Sequence, residues 1–209
     1  MSLGRFITLE GGEGAGKTTQ AKRLAARLAS EKIRVVVTRE PGGSPGAEEI
    51  RKLLVEGTPG RWDPLTESLL MFAARADHVA HTIKPALARG DWVISDRFTD
   101  STYAYQGAGR GLPVETIAAI EAAVLDGFRP DLTLILDLPV DVGLKRAHAR
   151  KNAETRFEKF DIAFHETLRK AFHDIARRHP DRCVVVGARG SEDEVAALIW
   201  NIVAKRFNL

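Results

Sequence analysis

At 209 residues the chain is long enough to bury a substantial core within one α/β domain, spanning 1–209, and too short to suggest two. Its 44% hydrophobic and 28% charged composition is that of a globular protein. Apolar runs such as Val184–Val186 fall far short of a bilayer span, and no charged-then-apolar leader opens at Met1–Arg5, so a cytoplasmic location without membrane attachment is expected. The net charge of +3 comes from scattered basic residues not interleaved with aromatics, which favours small anionic ligands over nucleic acid; the lone Cys183 excludes an internal disulfide, and its apolar setting predicts a buried, inert thiol.

In chain order, a strand over Phe6–Leu9 leads through a glycine-rich turn into a helix over Lys17–Ser30, and a second strand follows at Arg34–Thr38. A loop at Glu40–Gly46 precedes a short helical stretch over Ala47–Leu54, and the loop Gly57–Pro64 opens a long helix over Leu65–Arg89. A third strand, Trp92–Ser95, runs into a helical turn over Asp100–Tyr105 and a helix over Pro113–Leu125. A fourth strand, Leu132–Leu136, precedes the helix Val140–Ala149. The polar stretch 150–158 lacks a period and reads as a mobile lid. The helix Phe160–Arg178, the strand Cys183–Val186 and the helix Glu192–Arg206 complete the chain. Short apolar strands alternating with amphipathic helices predict a five-stranded parallel sheet flanked by helices.

Gly11-Gly-Glu-Gly-Ala-Gly-Lys17-Thr18 has the spacing of a phosphate-binding P-loop, with the required strand before it and helix after it. Glycines let successive backbone N–H groups turn toward phosphate oxygens, the helix N-terminus adds positive potential, Lys17 reaches the terminal phosphates, and the Thr18 hydroxyl suits Mg²⁺. ATP and Mg²⁺ are therefore expected, and the fold class is that of P-loop NTPases. The loop alone does not separate a kinase from a GTPase, a motor or a nucleotide-dependent switch protein.

Four further segments suit a second, anionic substrate. Arg39 and the pair Asp96-Arg97 stand just beyond the second and third strands, at the sheet edge where open α/β folds bind ligands. Asp96 can hold a Mg²⁺ water, and Arg97 has the planar fork that grips phosphate. Phe72 and Arg75 lie one helical turn apart, where a ring and a guanidinium can meet one base, and Ser101 to Gly107 adds hydroxyls, an amide and aromatic bulk. Taken singly, each has a plainer reading: Phe72 as core, Arg75 as a solvated helix face, Tyr103 and Tyr105 as packing. The six histidines read as surface or helix residues, and His78 with His81 is not expected to form a metal pair.

Together these stretches resemble the bacterial thymidylate kinases over essentially the whole chain: Glu10–Thr19, Thr38–Gly43, Phe72-Ala-Ala-Arg75, Asp96-Arg97, Ser101–Gly107, Phe128–Leu134 and Gly143-Leu-Lys-Arg146. The resemblance implies a nucleoside monophosphate kinase fold and ATP-dependent conversion of dTMP to dTDP; a same-fold kinase for another monophosphate, such as dUMP, is the alternative. It implies an ATP site of Gly11, Gly12, Gly14, Ala15, Gly16, Lys17, Thr18 and Thr19 with Arg146, and Mg²⁺ at Thr18 and Asp96. It further implies that Phe72 stacks on thymine, Arg75 hydrogen-bonds it, and Ser101, Thr102 and Gln106 lie beside it. Arg39 and Arg97 would hold the monophosphate, Tyr105 would crowd the 2′ position, and Glu13 would face the 3′-hydroxyl. Lys17, Arg97, Glu13 and a lid arginine, Arg150 ahead of Arg156, would act in catalysis. Members of the family are homodimers, and the helix face with Leu69, Leu70, Ala73 and Val79 offers an interface. The chain departs from the family at Phe98, where tyrosine or histidine is usual, and at Gly14, where some relatives carry an arginine.

Overall fold

The computed structural model describes residues 4–58, 60–149, 157 and 160–209. Five parallel strands, β1 (Phe6–Glu10), β2 (Val35–Arg39), β3 (Trp92–Asp96), β4 (Leu132–Asp137) and β5 (Cys183–Gly187), lie in the order β2-β3-β1-β4-β5. Alternation of side chains along each strand builds two cores. Ile7 and Leu9 of β1 and Leu132, Leu134 and Leu136 of β4 point to one face, where α1 (Lys17–Ser30) and α9 (Glu192–Phe207) cover them with Leu24, Leu28, Val195 and Ile199. On the other face Ile135 and Cys183 pack on Leu168, Phe172 and Ile175 of α8 (Ile162–Arg178), and Phe6 and Val93 pack on Ile83, Phe98 and Leu125. Burial pushes the Cys183 thiol up to about 12, so it carries no thiolate at neutral pH.

The remaining helices are α2 (Pro45–Val55), α3 (Pro64–His78), α4 (Lys84–Ala88), α5 (Thr99–Thr102), α6 (Val114–Leu125) and α7 (Val140–His148). The expected long helix begins where Asp63 accepts hydrogen bonds from the N–H groups of Leu65 and Thr66 at 3.0 and 2.9 Å. It is not uniform: a π turn over Val79–Ile83 joins α3 to α4 immediately before Pro85, which has no N–H to continue an α ladder. A second π turn, Tyr103–Ala108, continues α5. The extra residue in each turn rotates the downstream chain about the helix axis. Val79, expected on an interface face with Leu69, is buried against Phe6 and Ile83, four residues after the buried Arg75.

The fold positions the phosphate loop by backbone contact. The strands β1 to β4 end on Glu10, Arg39, Asp96 and Asp137, charged residues at one sheet edge, and the loop leaves the central β1 there, between β3 and β4. It rests on the first turn of α7. A β-carbon at Gly14, where φ is +69°, would lie 1.9 Å from the carbonyl oxygen of Gly143, and one at Gly143 would lie 2.4 Å from that of Glu13. The two chains therefore touch with no side chain between them. Below the loop, Arg182 donates to both carboxylate oxygens of the buried Asp100 at 2.7 and 2.8 Å, tying α5 to the start of β5. Among the described residues no helix is long and apolar enough to cross a membrane.

A glycine-to-alanine change inside a helix ordinarily stabilises by about 0.5–1 kcal/mol. The contact with Glu13 reverses the sign here: Gly143→Ala is expected to lower the melting temperature and to weaken binding of a non-hydrolysable ATP analogue, read by thermal unfolding and calorimetry. A higher melting temperature with intact binding would show that the loop yields freely.

Candidate active site

The loop's cation lies folded back on its own backbone. Lys17 is buried and its Nζ donates to the carbonyls of Gly11 at 3.2 Å and Gly12 at 2.8 Å. Burial, reinforced by the nearby Arg97, lowers its pKa to about 8 against the opposing pull of Glu13 and Asp96. The next residue reaches across to β3, where the Thr18 hydroxyl donates to an Asp96 carboxylate oxygen at 2.5 Å. A hydroxyl and a carboxylate side by side at the rim of an anion-binding loop suit Mg²⁺, which takes one or two protein oxygens and completes its shell with phosphate and water. Among the described residues no group of three or more His, Cys, Asp or Glu side chains could hold a metal ion by itself. On the other side of the loop, Arg146 of α7 reaches the Ala188 carbonyl beyond β5 at 3.5 Å.

Arg97 joins the loop to a neighbouring cavity. It follows β3 with φ at +73°, a left-handed conformation that costs a non-glycine residue about 1–3 kcal/mol. Its N–H donates to the Leu9 carbonyl at 2.9 Å and its carbonyl accepts from the Ser95 hydroxyl at 2.8 Å, which fix the backbone. The guanidinium then makes four contacts: Nη1 donates to the Gly11 carbonyl and the Ser101 hydroxyl, both at 3.1 Å, and Nη2 to Glu13 at 2.8 Å and the Tyr105 hydroxyl at 2.9 Å. Tyr105 in turn donates to the same Glu13 oxygen at 2.7 Å. Burial would raise the Glu13 carboxyl, but Arg97, Lys17 and the Tyr105 hydroxyl outweigh it and hold the group at about 2. Beneath them Glu10 accepts from the Phe98 N–H at 2.7 Å and the Ser101 hydroxyl at 2.6 Å; burial and the nearby Asp100 raise its carboxyl to about 7, against Arg97.

The cavity runs from Glu13, Arg97 and Tyr105 to Arg75, past Ser101, Thr102 and Gln106, with Glu40, Pro41, Arg51, Val55, Met71, Phe98 and Phe157 completing its wall. Arg75 is buried and multiply held: Nε donates to Glu40 at 2.7 Å, Nη1 to the Thr102 hydroxyl at 3.2 Å and Nη2 to the Phe98 carbonyl at 3.2 Å. Glu40 is shared with His78, whose Nδ1 stands 3.0 Å from it and whose Nε2 stands 2.7 Å from the Thr38 hydroxyl. Gln106 donates to the buried Glu67 at 2.8 Å.

Most of the expected acceptor residues thus meet in one cavity, with two differences. Arg39 does not line it: its guanidinium is half exposed and paired with Glu48 at 3.1 Å. Phe72 does not line it either, being fully buried with its ring 4.7 Å from the Arg75 guanidinium carbon. His78 and His165 lie in α3 and α8, as helix residues, and both are buried. Glu10, Glu40, Arg51 and Met71 were not singled out from the sequence, and His78 was considered only as a metal ligand with His81. Glu10 was signalled only as a charge ending an apolar strand, and His78 and Met71 only by their helical spacing from Arg75. Arg150, Arg156 and all of the 150–158 lid except Phe157 lie outside the described residues.

Comparison with known proteins places this geometry. The family model described as thymidylate kinase matches residues 9–199. A thymidylate kinase of Caulobacter vibrioides is 59% identical over 209 residues, covering 100% of both chains, and one of Bradyrhizobium sp. (strain BTAi1) is 54% identical over 205 residues, covering 97% of this chain and 91% of its own. The crystal structure of thymidylate kinase from Ehrlichia chaffeensis superposes with a TM-score of 0.77 at 36% identity, covering 96% of this chain and 98% of that one. A P-loop of this build facing a separate cavity lined by arginines, in a chain alike to these enzymes from end to end, makes the protein a nucleoside monophosphate kinase, and the family to which it belongs is that of the thymidylate kinases.

Proposed function

We propose that this kinase acts in the cytoplasm on dTMP and ATP, and that the cluster of Glu13, Arg97 and Tyr105 is where donor and acceptor meet. The observation that carries this is the reach of one guanidinium from the loop carbonyl of Gly11 to the hydroxyls of the cavity, Ser101 and Tyr105. In this reading the ATP phosphates take the loop's N–H groups from Gly11 to Thr19, and Lys17 exchanges its two carbonyl partners for phosphate oxygens. Thr18 and Asp96 would hold Mg²⁺, which when bound neutralises the phosphate oxygens. Arg97 holds the dTMP phosphate, with Arg39 joining once it releases Glu48. An oxygen of that phosphate attacks the γ-phosphorus, and the bond to the departing ADP breaks. The Tyr105 ring lies where a 2′-hydroxyl would be crowded, Glu13 accepts from the 3′-hydroxyl, and Arg75, Thr102 and Gln106 surround the base.

Phosphoryl transfer also draws on a further cation, typically worth on the order of 10³–10⁵ in rate. The loop has no room for one, because Gly14 is closed off by Gly143. We assign it to Arg150 of the lid. A coupled assay should show ADP formation that requires both dTMP and Mg²⁺, is abolished by chelation, and falls at least 100-fold in kcat in Arg150→Ala while calorimetric dTMP binding is retained. ADP formation indifferent to added dTMP, or stimulated only by dUMP, would overturn the reading; severe loss in Arg156→Ala instead would move the role along the lid.

The depressed pKa of Lys17 gives a pH signature. The protonated amine binds phosphate, so kcat/KM for ATP, which reports the free enzyme, is expected to fall roughly tenfold per unit above about pH 8. Bound phosphate favours the charged amine and raises its pKa, so kcat at saturating ATP should stay level to higher pH. A parallel fall of both parameters would remove Lys17 as the cause.

The outer face of α3 carries Leu65, Leu69, Ala73 and Ala76, all exposed and at helical spacing, with Ala80 of the following turn; Leu69 is 51% exposed. We propose it as the homodimer interface, on the strength of an uncharged stripe that leaves two leucines in water. Sedimentation should give a dimer that Leu69→Glu converts to monomer; an unchanged dimer would place the interface elsewhere.

A further inference from the structure

Where α3 borders the cavity, its wall is made by Met71 and Arg75, which are four residues apart and so lie one above the other on the same helical face. Phe72 is one residue round the helix. It is 1% exposed, and its ring backs the Arg75 guanidinium at 4.7 Å, with the Phe98 ring at 5.3 Å from the same carbon. Its place is thus occupied by the packing that holds the arginine. Met71 is half-buried and presents its apolar side chain to the open space beside that arginine.

We propose that Met71, rather than Phe72, is the residue that covers the face of the pyrimidine and thereby sets how the enzyme reads its 5-substituent. The inference rests on the reading that the Arg75 end of the cavity takes the base. A thioether is flexible and polarisable, makes favourable contacts with aromatic rings, and adapts to a methyl or a larger group where a fixed aromatic plate would not. Loss of the side chain removes ground-state and transition-state contact equally, so the effect belongs in KM and leaves kcat alone. Because the 5-methyl group is the whole difference between dTMP and dUMP, discrimination between them should depend on this residue.

The chain has two methionines, Met1 and Met71, which makes a direct test available. In protein labelled with ¹³C at the methionine methyls, two signals are expected, one of which vanishes in Met71→Leu. Saturation with dTMP should move that signal upfield, while ATP should leave it in place. Kinetically, Met71→Ala should raise KM for dTMP roughly three- to tenfold, keep kcat and KM for ATP within about twofold, and narrow the dTMP-to-dUMP preference. Phe72→Leu should lower the melting temperature and leave that preference as it is. A Met71 signal that stays still while calorimetry shows dTMP bound, or a KM unaffected by Met71→Ala but raised by Phe72→Leu at unchanged melting temperature, overturns the inference. The underlying reading is tested separately by folded Arg75→Gln: weakened dTMP binding there with a silent Met71 sinks the inference alone, and unchanged binding sinks the placement of the base as well.

Discussion

Arg97 is the constraint on which the site depends. A side chain leaving β3 in an ordinary extended conformation would continue along the strand; the left-handed turn at this residue directs it across the carboxyl ends of the sheet instead. From there it neutralises Glu13, orders Tyr105 and Ser101, and touches the phosphate loop through Gly11. Removing its charge would leave Lys17 as the cation acting on the Glu13 carboxylate, and Glu10 below would gain still more reason to stay protonated. The strained backbone is therefore part of how the phosphate loop and the cavity are joined.

The Arg75 end of the cavity handles charge differently. Arg75 and Glu40 are almost completely buried, and a pair so placed is held only when its remaining donors and acceptors are used. His78 supplies the second partner of Glu40, and Thr38 fixes His78, so that the end of β2, the loop after it and α3 are locked through one carboxylate. A guanidinium held by Glu40, Thr102 and the Phe98 carbonyl has its geometry fixed by the chain itself.

The sheet was legible because each strand is a short apolar run between turn signals; the expected strands fall within a residue of β1 to β5 at every boundary. The P-loop was legible because its chemistry is local: Lys17 and Thr18 act from fixed offsets in a turn. Hidden from the sequence was whatever depends on rotation about a helix or on distant partners. A stretch such as Leu-Met-Phe-Ala-Ala-Arg does not reveal which of Met71 and Phe72 faces a cavity, since both lie within a turn of Arg75 and only the packing of Phe98 and α3 decides. Val79 departs from its expected exposure because it lies four residues after Arg75 and seven after Phe72, on the buried face of the helix and away from Leu69. Arg39 stands at the foreseen edge, yet its direction is set by Glu48, nine residues on.

The contact between Gly14 and Gly143 has a mechanical meaning. Side chains between two packed segments can absorb a displacement by changing rotamer, much as a soft gasket does; two bare backbones have no such slack. A phosphate loop that shifts by a few tenths of an ångström as it closes on an anion must push α7 bodily, and α7 carries Arg146 at its far end and leads on to the segment that holds Arg150. A displacement of the loop is thereby passed along a rigid rod to Arg146, near the far end of α7.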